Sequence, residues 1–301
     1  MILLFYGEGR LGNQVFQYQA LNFLGGRDAR IFAIGLEEIG RVAELEGAKV
    51  RILSGNPWIK RLIKYVISPV VLRPLARYLR IIGYAHEPLS GIPPNVGSSG
   101  EMSYEPGLLR NVVFVDGGYY QNSRYWPEIF PSSLLRIREE VRSRARYYVD
   151  MASMGGRRRV AFVHVRRGDY LSFSSYGLTD LVLPESYYRS AIRVLKERFG
   201  SLYLLFVTDD VQWVSERFAD IPEKSVVSTD EATDFAIMAG CTAGVLSNST
   251  YSLAAALMMA NVELVIGPRY WFGFKVGRWF PPGIEFSHPR LMYLAVSEAA
   301  A

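Results

Sequence analysis

The sequence predicts an α/β protein with parallel sheets, its second half a doubly wound domain and its first half opening in the same style. Apolar runs of strand length alternate with stretches of helical period. The first such run leads through a glycine-rich turn into a helix, as dinucleotide-binding units do. A chain of 301 residues that is 50% hydrophobic also has enough length and apolar material for two ordinary domains.

In chain order, residues 2–6 (Ile-Leu-Leu-Phe-Tyr) form a buried strand, residues 14–24 a helix and residues 29–34 a second strand. Residues 60–80, from Lys60 to Arg80, contain six Lys or Arg and no acid. Helical spacing puts Arg73, Arg77 and Arg80 on one face there. The segment reads either as a surface that rests on an anionic membrane or as the solvated side of a core helix broken at Pro69 and Pro74. Residues 91–107, rich in Gly, Pro and Ser, read as loop, and residues 112–115 as a strand. Leu134, Ile137, Val141 and Tyr148 mark an amphipathic helix, after which Gly155-Gly156-Arg157-Arg158-Arg159 reads as a linker. The boundary is set near Gly156, with an N-terminal domain over 1–156 and a C-terminal domain over 157–301. The second half continues with strand 160–165, a helix through Tyr188, Ala191, Ile192, Leu195 and Phe199, and strand 202–207. A helix follows at 211–218, a strand near Val226, a helix at 233–239, a strand at 244–246, a helix at 251–259 and a strand at 263–266.

Composition narrows the function. A formal charge of +5 favours anionic partners. Nucleic acid is set aside, because no basic stripe interleaved with stacking aromatics and no zinc-finger pattern occurs. The single cysteine, Cys241, cannot form an internal disulfide, which fits a reducing compartment. No apolar run approaches the roughly 18–20 residues that span a bilayer, and Met1 leads straight into a strand without a signal sequence. The expectation is a cytoplasmic protein, with the basic segment as its one candidate for peripheral contact with the inner membrane face.

Four stretches carry chemistry. Gly7-Glu8-Gly9-Arg10-Leu11-Gly12-Asn13-Gln14 has the spacing of a dinucleotide fingerprint, but the acid that should end the second strand is absent there, since Gly35 follows Ile34 and Glu37 and Glu38 come later. Asn13, Gln14 and Gln17 put amides at the first turn of the helix, groups suited to sugar hydroxyls. The plain alternative is a tight turn with Asn13 as N-cap. His164-Val165-Arg166-Arg167-Gly168-Asp169-Tyr170 leaves the end of an apolar strand, where open α/β sheets bind ligands. Arginine supplies a permanent charge and a planar fork of donors suited to a diphosphate. Alternation puts His164 and Arg166 on one side and Arg167 on the other, so one arginine can face a ligand while the other braces the loop. An internal ion pair to Asp169 is the plain alternative. Thr208-Asp209-Asp210 ends the next strand. The adjacent acids fit helix capping and hydrogen bonds to a ribose or base better than a metal, for which no further ligand lies nearby. Ser247-Asn248-Ser249-Thr250 precedes a helix whose first N–H groups, with these hydroxyls, can hold a phosphate.

Together with Gly118-Tyr119-Tyr120-Gln121-Asn122-Ser123-Arg124-Tyr125-Trp126 and Leu183-Pro184-Glu185-Ser186-Tyr187-Tyr188, these stretches resemble, in order and spacing, the alpha-1,2-fucosyltransferases of glycosyltransferase family 11. The resemblance implies a GT-B-like fold of two facing Rossmann-like domains, the C-terminal one holding the sugar nucleotide and the N-terminal one the acceptor. It implies GDP-L-fucose as donor, a galactose-terminated glycan, free or lipid-linked, as acceptor, and inverting transfer to a 2-hydroxyl without metal or other cofactor. Arg166 would stabilise the departing diphosphate. Arg167, His164, Asp209, Asp210, Ser247, Asn248, Ser249 and Thr250 would complete the donor site, with Asp169 as base or as partner of an arginine. Gly12, Asn13, Gln14 and Gln17 would serve the acceptor. This chain departs from the family in having Ala243 where a His often stands and Ser252-Leu253-Ala254 where Ser-Trp-Trp stands, which implies altered donor or acceptor preference or lost activity. It looks like a bacterial member without the membrane anchor of the animal Golgi enzymes. An NAD-dependent oxidoreductase using the Gly7, Gly9 and Gly12 turn, and an inactive sugar-nucleotide-binding relative, are the alternatives.

Overall fold

A computed structural model describes residues 1–53, 56–87, 101–126, 133–172 and 178–296. Among these, the chain divides into two compact units, the first running through Arg136 and the second beginning at Ile137.

The first unit is built on a six-stranded sheet. Strand β1 (Ile2–Tyr6) leads into helix α1 (Leu11–Gly25), followed by β2 (Arg30–Ile34), α2 (Glu37–Val42), β3 (Ala43–Leu45), β4 (Lys49–Ile52) and α3 (Pro57–Leu62). Then come β5 (Ile82–His86), β6 (Ser103–Glu105), β7 (Leu109–Val115) and β8 (Leu135–Ile137). The sheet order is β4-β2-β1-β7-β5-β6, all parallel except β6, and β3 pairs with β8 separately. From β1 the chain first builds toward β2 and β4, and later returns to place β7 on the other side. The crevice at the carboxyl ends of β1 and β7 is therefore a topological switch point, where such sheets accept ligands. Most of the loop expected over 91–107 lies outside the described residues, and its end is the edge strand β6.

In the second unit, α4 (Glu139–Ser153) precedes β9 (Arg159–Val165), α5 (Glu185–Phe199), β10 (Leu202–Thr208), α6 (Val211–Arg217), β11 (Lys224–Val227), α7 (Glu231–Gly240), β12 (Ala243–Val245), α8 (Thr250–Leu257), β13 (Leu264–Pro268) and β14 (Leu291–Leu294). All strands are parallel in the order β11-β10-β9-β12-β13-β14, so the switch point lies between β9 and β12. Strand β9 is buried on both faces because Val160 to Val165 is an unbroken apolar run apart from His164. Ala161, Val163 and Val165 pack with Tyr187, Tyr188, Ala191 and Leu195 of α5 and with Leu204 and Phe206 of β10.

The units part at 136/137 rather than near Gly156, which corrects the boundary read from the glycines and arginines at 155–159. Val141, Ala145 and Ala152 of α4 are buried, Val149 lies against the bare Cα of Gly240 on α7, and Arg144 reaches Asp230 at 3.4 Å. The hydrophobic stripe of α4 thus has its partners in the second sheet's helical layer. Leu134 and Ile137, read as part of that stripe, precede the helix.

Candidate active site

Three of the predicted stretches meet at the carboxyl ends of β9, β10 and β12. His164, the only polar side chain within the apolar body of β9, is 4% exposed, and its Nδ1 lies 2.7 Å from the Ser247 hydroxyl. Burial, and then the neighbouring Arg166 charge, push its pKa down to about 3, so the imidazole is neutral. Tyr170 adds a second tie across the same switch point, its hydroxyl donating to the Asn248 carbonyl at 3.4 Å.

The two arginines have different partners, and Arg166 makes the internal ion pair to Asp169 named above as the plain alternative. Arg167 lies over the Trp213 ring at 4.2 Å, donates through its guanidinium to Asp210 at 3.0 Å, and donates through its backbone N–H to Asp209 at 2.9 Å. It braces α6, whose N-terminus Asp210 caps through the Trp213 N–H at 3.0 Å. Arg166 occupies the other side, with Asp169 at 2.8 Å and Asp209 at 3.0 Å. Burial opposes its charge, while Asp169 and Asp209 raise its pKa further. The side chain of Asp169 is 52% exposed, that of Asp209 only 25%. Asp169 is therefore the partner that can leave when an anion arrives. Gly168 lets Asp209 come close, because a Cβ there would stand 2.7 Å from an Asp209 carboxylate oxygen.

The serine-rich turn is only partly available to a ligand. Ser247 and Asn248 are fully buried, and Asn248 donates to the Leu181 carbonyl at 2.7 Å. Ser249 is the N-cap of α8 and accepts from the Tyr251 N–H at 3.3 Å, and Thr250 opens the helix at the surface of the turn. An anion would meet Ser249, Thr250 and the first N–H groups of α8, with Ser247 and Asn248 holding the turn from beneath. Among the described residues no three His, Cys, Asp or Glu side chains group as a metal site.

The amides of the first unit, read as suited to sugar hydroxyls, make hydrogen bonds within the chain, and Gln17 Oε1 is left buried without a partner among the described residues. Arg10, not Asn13, occupies the N-cap of α1, and Gly12 lies buried in its first turn. Gln14 is buried, and its Oε1 accepts the N–H groups of Glu38 and Ile39 at 3.0 and 3.1 Å. Gln17 is fully buried and donates through Nε2 to the carbonyls of Glu8, at 2.7 Å, and Gly118, at 2.8 Å. Asn13 Oδ1 accepts from Gln121 at 2.9 Å. Asn13, Gln17 and Gln121 therefore stitch the loop after β1 to the loop after β7 across the first switch point. The glycines of the dinucleotide-like turn serve a close approach of chains, because a Cβ on Gly7 would stand 2.7 Å from the Gly35 carbonyl. Glu37, near the place where such folds keep a ribose-binding acid, is paired with Lys60 at 2.8 Å.

Sequence reasoning missed Trp213 as the platform for Arg167, Tyr170 as the second tie, and Gln121 as the partner of Asn13. Tyr170 and Gln121 lie inside the motif stretches, whereas nothing in the sequence connects Trp213 with Arg167. The two departures, Ala243 and Leu253, are both buried, the first at the amino end of β12, away from the site, and the second within α8.

The model of glycosyl transferase family 11 matches residues 115–272, just over half of the chain. The chain belongs to glycosyl transferase family 11. The match contains the β9, β10 and β12 loops and the loop after β7, but not the turn after β1. A stretch of 115 residues is 36% identical to the O-antigen biosynthesis glycosyltransferase WbnK of Escherichia coli, covering 36% of this chain and 38% of that protein. Another, of 116 residues, is 30% identical to the alpha-1,2-colitosyltransferase of Escherichia coli, covering 36% and 40%. The chain thus matches well under half the length of these curated relatives. Among solved structures, NodZ alpha-1,6-fucosyltransferase soaked with GDP-fucose aligns over 89% of this chain and 94% of its own, at 14% identity and a TM-score of 0.50. That likeness concerns the fold, and the two Rossmann-like α/β units of this family 11 chain are of the GT-B-like type.

Proposed function

We propose that the protein transfers L-fucose from GDP-L-fucose to the 2-hydroxyl of a terminal galactose on a glycan, with inversion and without a metal ion. The reading rests above all on the placement of Arg166 and the Ser249-capped start of α8 after the carboxyl ends of the neighbouring strands β9 and β12, at the second unit's switch point. Breaking the bond between sugar and diphosphate releases negative charge onto the leaving group. A guanidinium and a helix N-terminus, both set in place beforehand, are groups that stabilise charge as it develops. His164, neutral and locked to Ser247, keeps the β9 and β12 loops in register. Asp169 holds Arg166 in the resting protein and, once a diphosphate takes that place, becomes free to accept the acceptor's proton. The acceptor is assigned to the crevice of the first unit between the loops that Gln17 stitches. Membership of family 11 and the names of the relatives support the reaction class, and the name WbnK carries supports a surface polysaccharide as acceptor.

The alpha-1,2-colitosyltransferase relative favours a second reading, in which the donor sugar is colitose rather than fucose. One experiment covers both: incubation with GDP-fucose, GDP-colitose and other sugar nucleotides against a panel of galactosides, with products read by mass spectrometry and the linkage by NMR. A fucosylated galactoside linked at the 2-position is expected. Tight NAD binding with no response to GDP would overturn the proposal in favour of an oxidoreductase, and GDP binding without turnover of any donor would leave a binding protein.

A further inference from the structure

The basic segment of the first unit has two unlike sides. On its inner side Lys60 pairs with Glu37 at 2.8 Å, Lys64 with Glu8 at 3.0 Å, and Arg73 with Asp116 through two hydrogen bonds of 2.8 and 2.9 Å. Ser68 and Ala76 are buried, and Leu72 and Leu75 pack against Ile82, Tyr84 and Phe114. Arg73 therefore does not share a face with Arg77 and Arg80, as helical spacing suggests it should. Beyond α3 the chain is wound as a π-helix over Ile63–Leu72 and Pro74–Tyr78. Tyr65 and Val66, then Val70 and Val71, recur at the five-residue interval of an i→i+5 winding, and Pro69 and Pro74 share that interval.

This winding leaves a large apolar outer side. Trp58 and Tyr65 are each 66% exposed and Val70 64%, and Ile59, Val66, Val71, Tyr78 and Leu79 are exposed with them. Eight large apolar side chains exposed within residues 58–79 are a density unlike the singly scattered apolar residues of an ordinary surface. The charges that residues 60–80 themselves contribute to this side are all positive. Arg61 and Arg77 have no carboxylate partner among the described residues, and Arg80 reaches Glu105 only at 3.8 Å.

We propose that this face rests on an anionic lipid bilayer. Valines and isoleucine would enter the boundary between headgroups and acyl chains, Trp58, Tyr65 and Tyr78 would sit at headgroup level where amphipathic rings are favoured, and Arg61, Arg77 and Arg80 would meet lipid phosphates. No helix among the described residues is long and apolar enough to cross a membrane, so the contact is one of lying on the surface. The absence of any acid between residues 60 and 80 argues for a phosphate-rich surface over a protein partner, whose own basic groups would go unanswered. The inference does not depend on the reaction proposed above.

The test is cosedimentation of the full chain with vesicles of phosphatidylcholine alone and with added phosphatidylglycerol, at low salt and at about 0.5 M salt, where exposed charges are screened. Binding is expected to the anionic vesicles only and to fall steeply with salt. Val70→Asp with Val71→Asp should abolish it, and Arg61→Gln with Arg77→Gln should weaken it roughly thirtyfold, with circular dichroism checking the fold of each. No binding to anionic vesicles at low salt, or equal binding to both kinds, overturns the proposal. If the valine variant does not fold, the arginine variant decides, and undiminished binding by it counts against the lipid contact. A concentration-dependent dimer, seen by light scattering in place of vesicle binding, would assign the face to a second copy of the chain instead.

Discussion

The His164 imidazole and the Ser247 hydroxyl, 2.7 Å apart and both buried, join the two strands that flank the second unit's switch point. Because the folded state holds His164 neutral, with a pKa of about 3 against 6.5 when unfolded, the unfolded chain binds the proton more readily. Its contribution to stability is complete above pH 6.5 and is lost as pH falls from there toward 3. About 2–3 kcal/mol should go between pH 6.5 and 4.5. Urea unfolding across that range, compared with His164→Gln, checks this. The variant should show a flatter acid limb, and parallel curves would mean that the buried histidine is not the titrating group.

Arg166 and Arg167 should separate function from stability. Arg166→Ala is expected to lower turnover by about 10²–10³-fold, the scale of losing one preorganised charge-stabilising group, with a normal melting temperature. Arg167→Ala strips the Trp213 platform and leaves Asp210 without its guanidinium, so it should destabilise the fold by about 1–3 kcal/mol. Steady-state kinetics and thermal unfolding of the pair distinguish the two roles, and interchanged phenotypes would reverse the assignment.

Asp169 competes with any anion for Arg166. In Asp169→Asn the guanidinium keeps Asp209 but loses its exposed carboxylate, so calorimetry should find GDP bound several-fold more tightly. Weaker binding would show that Asp169 chiefly positions the loop. A collapse of turnover alongside tighter GDP binding would point to proton abstraction as its second duty.

Gly244 lies against the Phe162 ring, and a Cβ there would stand 2.1 Å from a ring carbon. Overpacking of this kind costs about 1–3 kcal/mol. Gly244→Ala should therefore lower the unfolding midpoint in urea, and Phe162→Leu in the same background should restore part of it. An unchanged midpoint for the single variant would mean that the sheet centre yields without strain.

Asp116 ties the basic segment to the first sheet. Burial alone would raise its pKa, but the Arg73 pair and the Tyr84 hydroxyl, which donates at 2.7 Å, hold it below the usual carboxylate range. The stability it contributes is present above the unfolded value and lost as pH falls through the depressed one. Asp116→Asn should loosen residues 57–80 first, seen as faster amide exchange there than in β1 or β7. Uniform exchange across the unit would contradict this.

Period and polarity were enough to predict most strands and helices of the second unit, because parallel strands buried on both faces are unbroken apolar runs such as Val160 to Val165. The same reasoning placed His164, Arg166, Asp209 and Ser249 at strand ends, since polar groups clustered where an apolar strand ends are costly to bury unless each meets a partner or a ligand. The two-residue alternation of a strand also put the two arginines on opposite sides, without saying which would brace the loop. Only the tertiary structure decided what those groups touch. Gln14 and Gln17 are amides in either reading, and it took the approach of the α2 start and of Gly118 to commit them to the chain. The unit boundary followed the partners of α4 rather than the glycines after it, and Arg73 was turned inward by an aspartate 43 residues away. Local pattern reports the chemistry that each residue carries, whereas hydrogen bonds and ion pairs are made between residues distant in sequence, whose meeting depends on the whole fold.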